Sequence, residues 1–140
     1  METVECTRAA LEEAGNILGE AGPVYMVNMV RYRDQADYGA KSDLPPCSGR
    51  EAYFQRYAPA FNKVAQDEDY GVFWVGNVRG VLVNPEGQAW DDIVIVRYAN
   101  FKALRRILES AAYEREAAPH RRAALTAWQF IATTQPSLPK

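Results

Sequence analysis

The sequence predicts an α+β fold: a ferredoxin-like βαββαβ unit with an antiparallel four-stranded sheet, preceded by one additional helix. Three observations carry this. Four runs, at 24–32, 70–83, 91–98 and 127–134, are rich in β-branched and aromatic residues. Two longer stretches between them, from 48 and from 100, repeat apolar residues at helical spacing. The order strand, helix, strand, strand, helix, strand is that of the split βαβ pattern.

Taken in order, residues 3–20 read as a helix with Val4, Leu11, Ala14 and Leu18 on one face, ended by Gly22-Pro23. "VYMVNMVRY" (24–32) is a strand with Tyr25, Val27, Met29 and Arg31 on one side. Val24, Met26, Asn28, Val30 and Tyr32 take the other, with Asn28 as its polar exception. Residues 33–48 form a connection longer than the ~12–15 residues usual inside compact domains, so the segment reads as a lid or as a surface insertion. "SGRE" (48–51) is a capping box that starts a helix with Tyr53, Phe54, Tyr57, Phe61 and Val64 as its stripe. Pro59 falls inside that helix and predicts a kink.

The strand at 70–83 carries Gly76 and Gly80, which suggest a bulge or bend. A turn at 84–90 leads to the strand 91–98. Asn100 is a candidate N-cap for the next helix, Ser110 for a second piece, and Pro119 suits the first turn of a third. If 113–125 is regular, Tyr113, Ala117, His120 and Ala124 share a face. The last strand, 127–134, has Trp128, Phe130 and Ala132 on one side, and a frayed tail is expected over 135–140.

These elements divide the chain into a helical appendage at 1–22, the α+β domain at 23–134, and the tail. The strands are apolar on both sides, and helices cover only one face of such a sheet. An exposed apolar face is costly at about 25 cal/mol per Å², so a second copy is expected to cover it, giving a homodimer with a two-fold axis.

Composition narrows the function classes. The chain has 140 residues, is 48% hydrophobic and 24% charged, and carries a net charge of −2. No basic stripe with interleaved aromatics is present, which argues against nucleic acid. The pairs Arg105-Arg106 and Arg121-Arg122 read as solvated helix faces. No segment has the ~20 apolar residues needed to cross a bilayer, and the acidic start lacks the features of a secretory signal. Cys6 and Cys47 read as reduced thiols in a cytoplasm. With one histidine they do not make a closed metal site, so no metal is expected. No P-loop, dinucleotide fingerprint, HExxH or GxSxG occurs, so no cofactor is expected.

Three stretches, "VYMVNMVRYRD", "WDDIVIVRYANFKALRRILESAAYEREAA" and "AWQFIAT", make the sequence resemble the dimeric α+β barrel superfamily. Within it, the sequence most resembles a widespread family of small bacterial proteins of unknown function. "ANFKALRRILESAAY", with its Ser-x-x-Tyr break, is the most specific part, and the likeness covers roughly 23–134. The N-terminal helix and the 33–48 loop depart from the short members. The superfamily includes cofactor-independent monooxygenases, cyclases, haem-using enzymes, isomerases and non-catalytic binding proteins, so fold alone fixes no reaction. The resemblance implies a pocket between the sheet and the helices of each subunit.

Candidates for that pocket are His120 and Asn28 as catalytic groups, with Tyr25, Arg31, Tyr38, Trp74 and Arg97 as substrate contacts. His120, in the first turn of a short helix and among apolar neighbours, would be a neutral base; a packed histidine with one hydrogen bond is the plainer alternative. Asn28 could hold an oxyanion or a neighbouring strand. Arg31 and Arg97 could bind a carboxylate or pair with Asp91, Asp92 or Glu51. Trp74 and Trp128 could instead be core or interface aromatics. Asp91 and Asp92 point to opposite faces and cannot share one site. The expected ligand is a small apolar, oxygenated molecule, aromatic or polyketide-like. It would be acted on by proton transfer, or only bound.

Overall fold

The structure, a computed structural model, describes residues 4–139. It is an α+β fold in two layers. The strands β1 (Val24–Tyr32), β2 (Tyr70–Asn77), β3 (Asp92–Tyr98) and β4 (Leu125–Thr133) form one antiparallel sheet in the order β2-β3-β1-β4. The helices α1 (Arg8–Leu18), α2 (Gly49–Glu51), α3 (Ala58–Val64), α4 (Phe101–Leu108) and α5 (Ala118–Ala124) complete the chain, with π turns at Ala52–Tyr57 and Tyr113–Ala117.

Local chemistry sets the helix starts. Thr7 caps α1 by accepting from the Ala10 N–H, so this helix begins later than the apolar spacing suggests. Residue 3 lies outside the described residues. Val4 is buried, but ahead of the helix rather than on its face. Ser48 and Glu51 form the expected capping box, and Asn100 caps α4. Ser110 accepts from the Tyr113 N–H and opens the next helical stretch. Gly49 must be glycine because a Cβ there would fall within the contact distance of the Arg33 and Ala124 carbonyl oxygens. That close approach lets Arg33 N donate to Ala124 O and Gly49 N to Arg33 O, which ties the start of the 33–48 segment to the helices.

Pro59 does not kink its helix in the expected way. Proline cannot donate, and its ring meets the carbonyl four residues back. Ahead of it the ladder widens, and Ala58 N–H bonds Tyr53 O, five residues back. The same device recurs before Pro119, where Ala118 N–H bonds Tyr113 O. Each π turn inserts a residue and rotates the next helical segment by about 100°.

Sheet register defines two faces. Asn28 stands between Val94 and Phe130, and Val30 between Asp92 and Trp128. Val24, Met26, Asn28 and Val30 are buried on the helix side. Two apolar clusters fill the space between the layers, one around Met26, Tyr98, Phe101 and Leu104, the other around Val30, Tyr53, Val94 and Leu125. Leu104 is fully buried, which is worth about 1.5–3 kcal/mol. α1 joins the first cluster through Leu11. The β2 strand ends at Asn77, short of 83, and its bulge lies between Val72 and Trp74 rather than at the glycines. β3 starts at Asp92, and β4 spans 125–133, two residues earlier than the expected 127 start.

Candidate functional site: an aromatic cavity under the helices

A cavity of about 150 Å³ lies between the sheet and the 49–64 helical stretch. β1 and β3 supply Asn28, Val94, Val96 and Tyr98 as its floor, and β4 adds Trp128 and Phe130. Tyr53, Tyr57 and Phe61 close it from the helix side. Leu104 and Leu108 of α4 also contribute. Exposed Phe54, Asn62, Val72 and Val75 form its rim beside β2. Half of the chain's eight tyrosines line it, Tyr53, Tyr57, Tyr70 and Tyr98, and no lining residue is charged.

Buried polar groups brace the wall. Trp128 Nε1 donates to Asn28 Oδ1 at 2.9 Å, and Asn28 Nδ2 donates to Val94 O at 3.1 Å. An indole can only donate and a carbonyl only accept, so the amide orientation is fixed. Behind the helix wall, Arg121 Nη1 donates to the Tyr113 hydroxyl at 2.6 Å, which meets the Tyr57 hydroxyl at 2.8 Å. Arg121 Nε also donates to Val4 O, Glu5 lies 3.3 Å from Nη2, and the guanidinium stands over the Trp128 ring at 4.9 Å. Burial raises the Tyr57 and Tyr113 phenols above their ordinary range, so both stay protonated and able to donate.

Arg121 is therefore buried, at 4% exposed, and not on a solvated face. The π turn explains this. One inserted residue shifts the helical phase, so Arg121 takes the inward place on the Tyr113 side that regular spacing assigns to His120. His120 is half-buried, does not line the cavity, and has its Nδ1 2.7 Å from the Tyr38 hydroxyl. Burial, then the positive charge of Arg56, lower its pKa. In the Nε2-protonated tautomer the Tyr38 hydroxyl donates to Nδ1. Arg56 donates to Pro45 O and stands 5.3 Å from the Tyr38 ring. Together these contacts fasten the 33–48 segment to α5 and the helical wall.

Of the sequence candidates, only Asn28 lines the cavity. Tyr38 and His120 are brought together at the loop instead. Tyr25, Arg31, Trp74 and Arg97 project from the opposite face of the sheet, because their register partners alternate with those of the cavity residues. There Tyr25 meets Phe73 edge to face at 4.9 Å, Arg31 Nε donates to Thr126 Oγ1, and Arg97 lies 3.6 Å from Asp69. Trp74 covers Gly76, where a Cβ would overlap its ring. Asp91 and Asp92 stand apart in role. Asp91 accepts from Tyr32 N, and fully buried Asp92 accepts from the Tyr32 hydroxyl, Arg50 and Asn77.

Sequence reasoning missed Tyr53, Tyr57, Tyr98, Tyr113 and Arg121 as polar groups of one site. The available signal was the Ala-Pro that ends each tyrosine-bearing helical turn, at 58–59 and 118–119. Among the described residues, no cluster of three metal-ligating side chains occurs, and no helix is long and apolar enough to cross a membrane.

The chain is similar over its full length to crystal structures of RPA0582, a protein of unknown function from Rhodopseudomonas palustris. The methylated form shares 27% identity with a TM-score of 0.80, covering 100% of both chains. The other structure shares 27% identity with a TM-score of 0.78, covering 99% of this chain and 100% of that one. No protein-family model and no curated protein matches.

Proposed function

We propose that the protein binds a small, largely apolar, oxygenated molecule in the cavity beneath its helices, as a homodimer of the dimeric α+β barrel type. The observation that carries this is the partly open aromatic cavity with its few hydrogen-bonded polar groups, the usual composition of a small-molecule site. Its volume of about 150 Å³ suits one ring, since an apolar cavity of about that size takes up benzene.

Binding is favoured over turnover by the lining residues. A proton-transfer enzyme of cyclase, isomerase or monooxygenase type needs a base of near-neutral pKa beside its substrate. The lining residues supply only phenols, amides and an indole, and His120 is engaged with Tyr38. Asn28 is committed to Val94 and Trp128, which leaves it holding the wall rather than an oxyanion.

The homodimer is supported by the uncovered sheet face. Phe73 and Trp74 are 56% and 51% exposed there, next to Ile131 and the half-buried Tyr25, Val27 and Met29. Larger exposed apolar patches mark interfaces.

The test of binding is titration with benzyl alcohol while monitoring amide and indole NMR signals. The expected result is saturable shifts of the Trp128 Nε1–H and the Asn28 side-chain amide. Shifts confined to the surface, or none at millimolar ligand, would refute the cavity as a site. Light scattering at micromolar concentration is expected to give twice the 15.7 kDa chain mass, and Trp74→Glu to give the single-chain mass. A single-chain mass for the unaltered protein would refute the dimer.

A further inference from the structure

The cavity wall contains two polar groups that the fold does not use. Tyr53 is 7% exposed and Tyr98 is 3% exposed, and both line the cavity. Asn28, Tyr57, Tyr70 and Trp128 on the same wall each have a hydrogen-bond partner within the protein. Among the described residues, the Tyr53 and Tyr98 hydroxyls have none. Nor are they sealed in by protein. Among the described residues, the fully enclosed side-chain atoms without a partner are Arg33 Nε and Arg56 Nη1, neither of them on the cavity wall. The two phenol oxygens therefore keep accessible surface, and both side chains line the cavity.

A hydroxyl with no partner in the fold adds nothing to packing that a phenylalanine ring would not supply. Such a group calls for a partner outside the fold. Burial raises both phenols above their ordinary range, so each presents an O–H at any pH the protein meets. The rest of the wall is uncharged, which penalises an ionised carboxylate on the ligand. The Trp128 and Phe130 rings, stacked at 4.7 Å, offer an apolar surface for an aromatic ring.

We propose that the Tyr53 and Tyr98 hydroxyls are the polar anchors of the ligand site, donating hydrogen bonds to the acceptor oxygen of a neutral one-ring molecule such as an aryl ketone. The proposal rests on the ligand-binding function and narrows it to a ligand chemistry. Recognition then depends on oxygen as well as on shape. A site built to hydrogen-bond a polar atom rejects the isostere that lacks it, because its own polar groups are left unpaired.

The experiment compares acetophenone with ethylbenzene, two probes of matched size, on the full chain and on Tyr53→Phe and Tyr98→Phe. Affinity is read from the Trp128 Nε1–H signal, and the acetophenone C=O stretch from difference infrared spectra. The unaltered protein is expected to bind acetophenone about tenfold more tightly, with the C=O stretch lowered by hydrogen bonding. At least one phenylalanine variant is expected to lose most of that preference and the infrared shift, while keeping ethylbenzene affinity within about twofold. Equal binding of the two probes by the unaltered protein would overturn the proposal and leave the cavity as a purely apolar site. Retained preference in both variants would overturn it by assigning the recognition elsewhere. Failure of both probes to bind would remove the ligand-binding reading itself, and the anchors with it. The thermal melts of the variants confirm that they are folded.

Discussion

Replacing Tyr113 with phenylalanine should be far more damaging than replacing Tyr98, although both rings are almost equally buried, at 4% and 3% exposed. The Tyr113 hydroxyl accepts from the Arg121 guanidinium at 2.6 Å and bonds the Tyr57 hydroxyl at 2.8 Å. Deleting it leaves a buried charged donor short of one partner, at a cost of about 2–3 kcal/mol. Unfolding entropy of about 2.1 cal/mol/K per residue gives a chain of this length about 0.3 kcal/mol/K, so the melting temperature should fall by about 7–10 °C. Tyr98→Phe breaks no hydrogen bond within the fold, so its expected cost is about 0.5 kcal/mol or less, within about 2 °C. The assay is thermal unfolding without ligand, at one fixed protein concentration because a dimer's melting point depends on it. Equal losses in the two variants would refute the distinction between used and unused hydroxyls. So would a loss below about 2 °C for Tyr113→Phe.

Two further outcomes are expected from the buried and half-buried polar contacts. Asp92→Ala removes a fully buried carboxylate that accepts from Tyr32, Arg50 and Asn77. Arg50 is half-exposed and can rehydrate, so the loss should lie at the low end for a broken buried pair, about 3 kcal/mol or about 10 °C by thermal melting; a loss under about 1 kcal/mol would count against that reading. His120 titrates below its ordinary range in the folded chain, so the unfolded chain binds its proton first. Its contribution to stability is complete above the unfolded value of about 6.5 and is lost as pH falls through the lower folded value. The melting temperature should therefore drop between pH 7 and pH 5 more steeply in the unaltered protein than in His120→Gln, and parallel curves would show that His120 carries no such linkage.

Much of the fold was legible because its signals are local. The Ser48–Glu51 capping box, the Asn100 cap and the Ser110 break act within three or four residues of themselves, and each starts a helix where the sequence places one. Strand parity is equally local. Alternation alone separates Asn28 from Tyr25 and Arg31, and the register confirms the two faces. Which face would meet the helices was not legible, since both are apolar. Four of the candidates for the pocket under the helices, Tyr25, Arg31, Trp74 and Arg97, lie instead on the side that the helices leave uncovered.

The sequence by itself determined the elements, their order and the alternation along each strand, because these depend on neighbours in the chain. The tertiary structure decided which side chains meet. Pro59 and Pro119 are visible as helix breakers, but packing between helices and sheet determines whether the chain kinks or widens into a π turn. That choice advances the helix by one residue. It turns Arg121 inward to Tyr113, leaves His120 to bind Tyr38, and sets Tyr53 and Tyr57 on the cavity wall, because a helical period measured along the chain holds only while the hydrogen-bond ladder keeps its step.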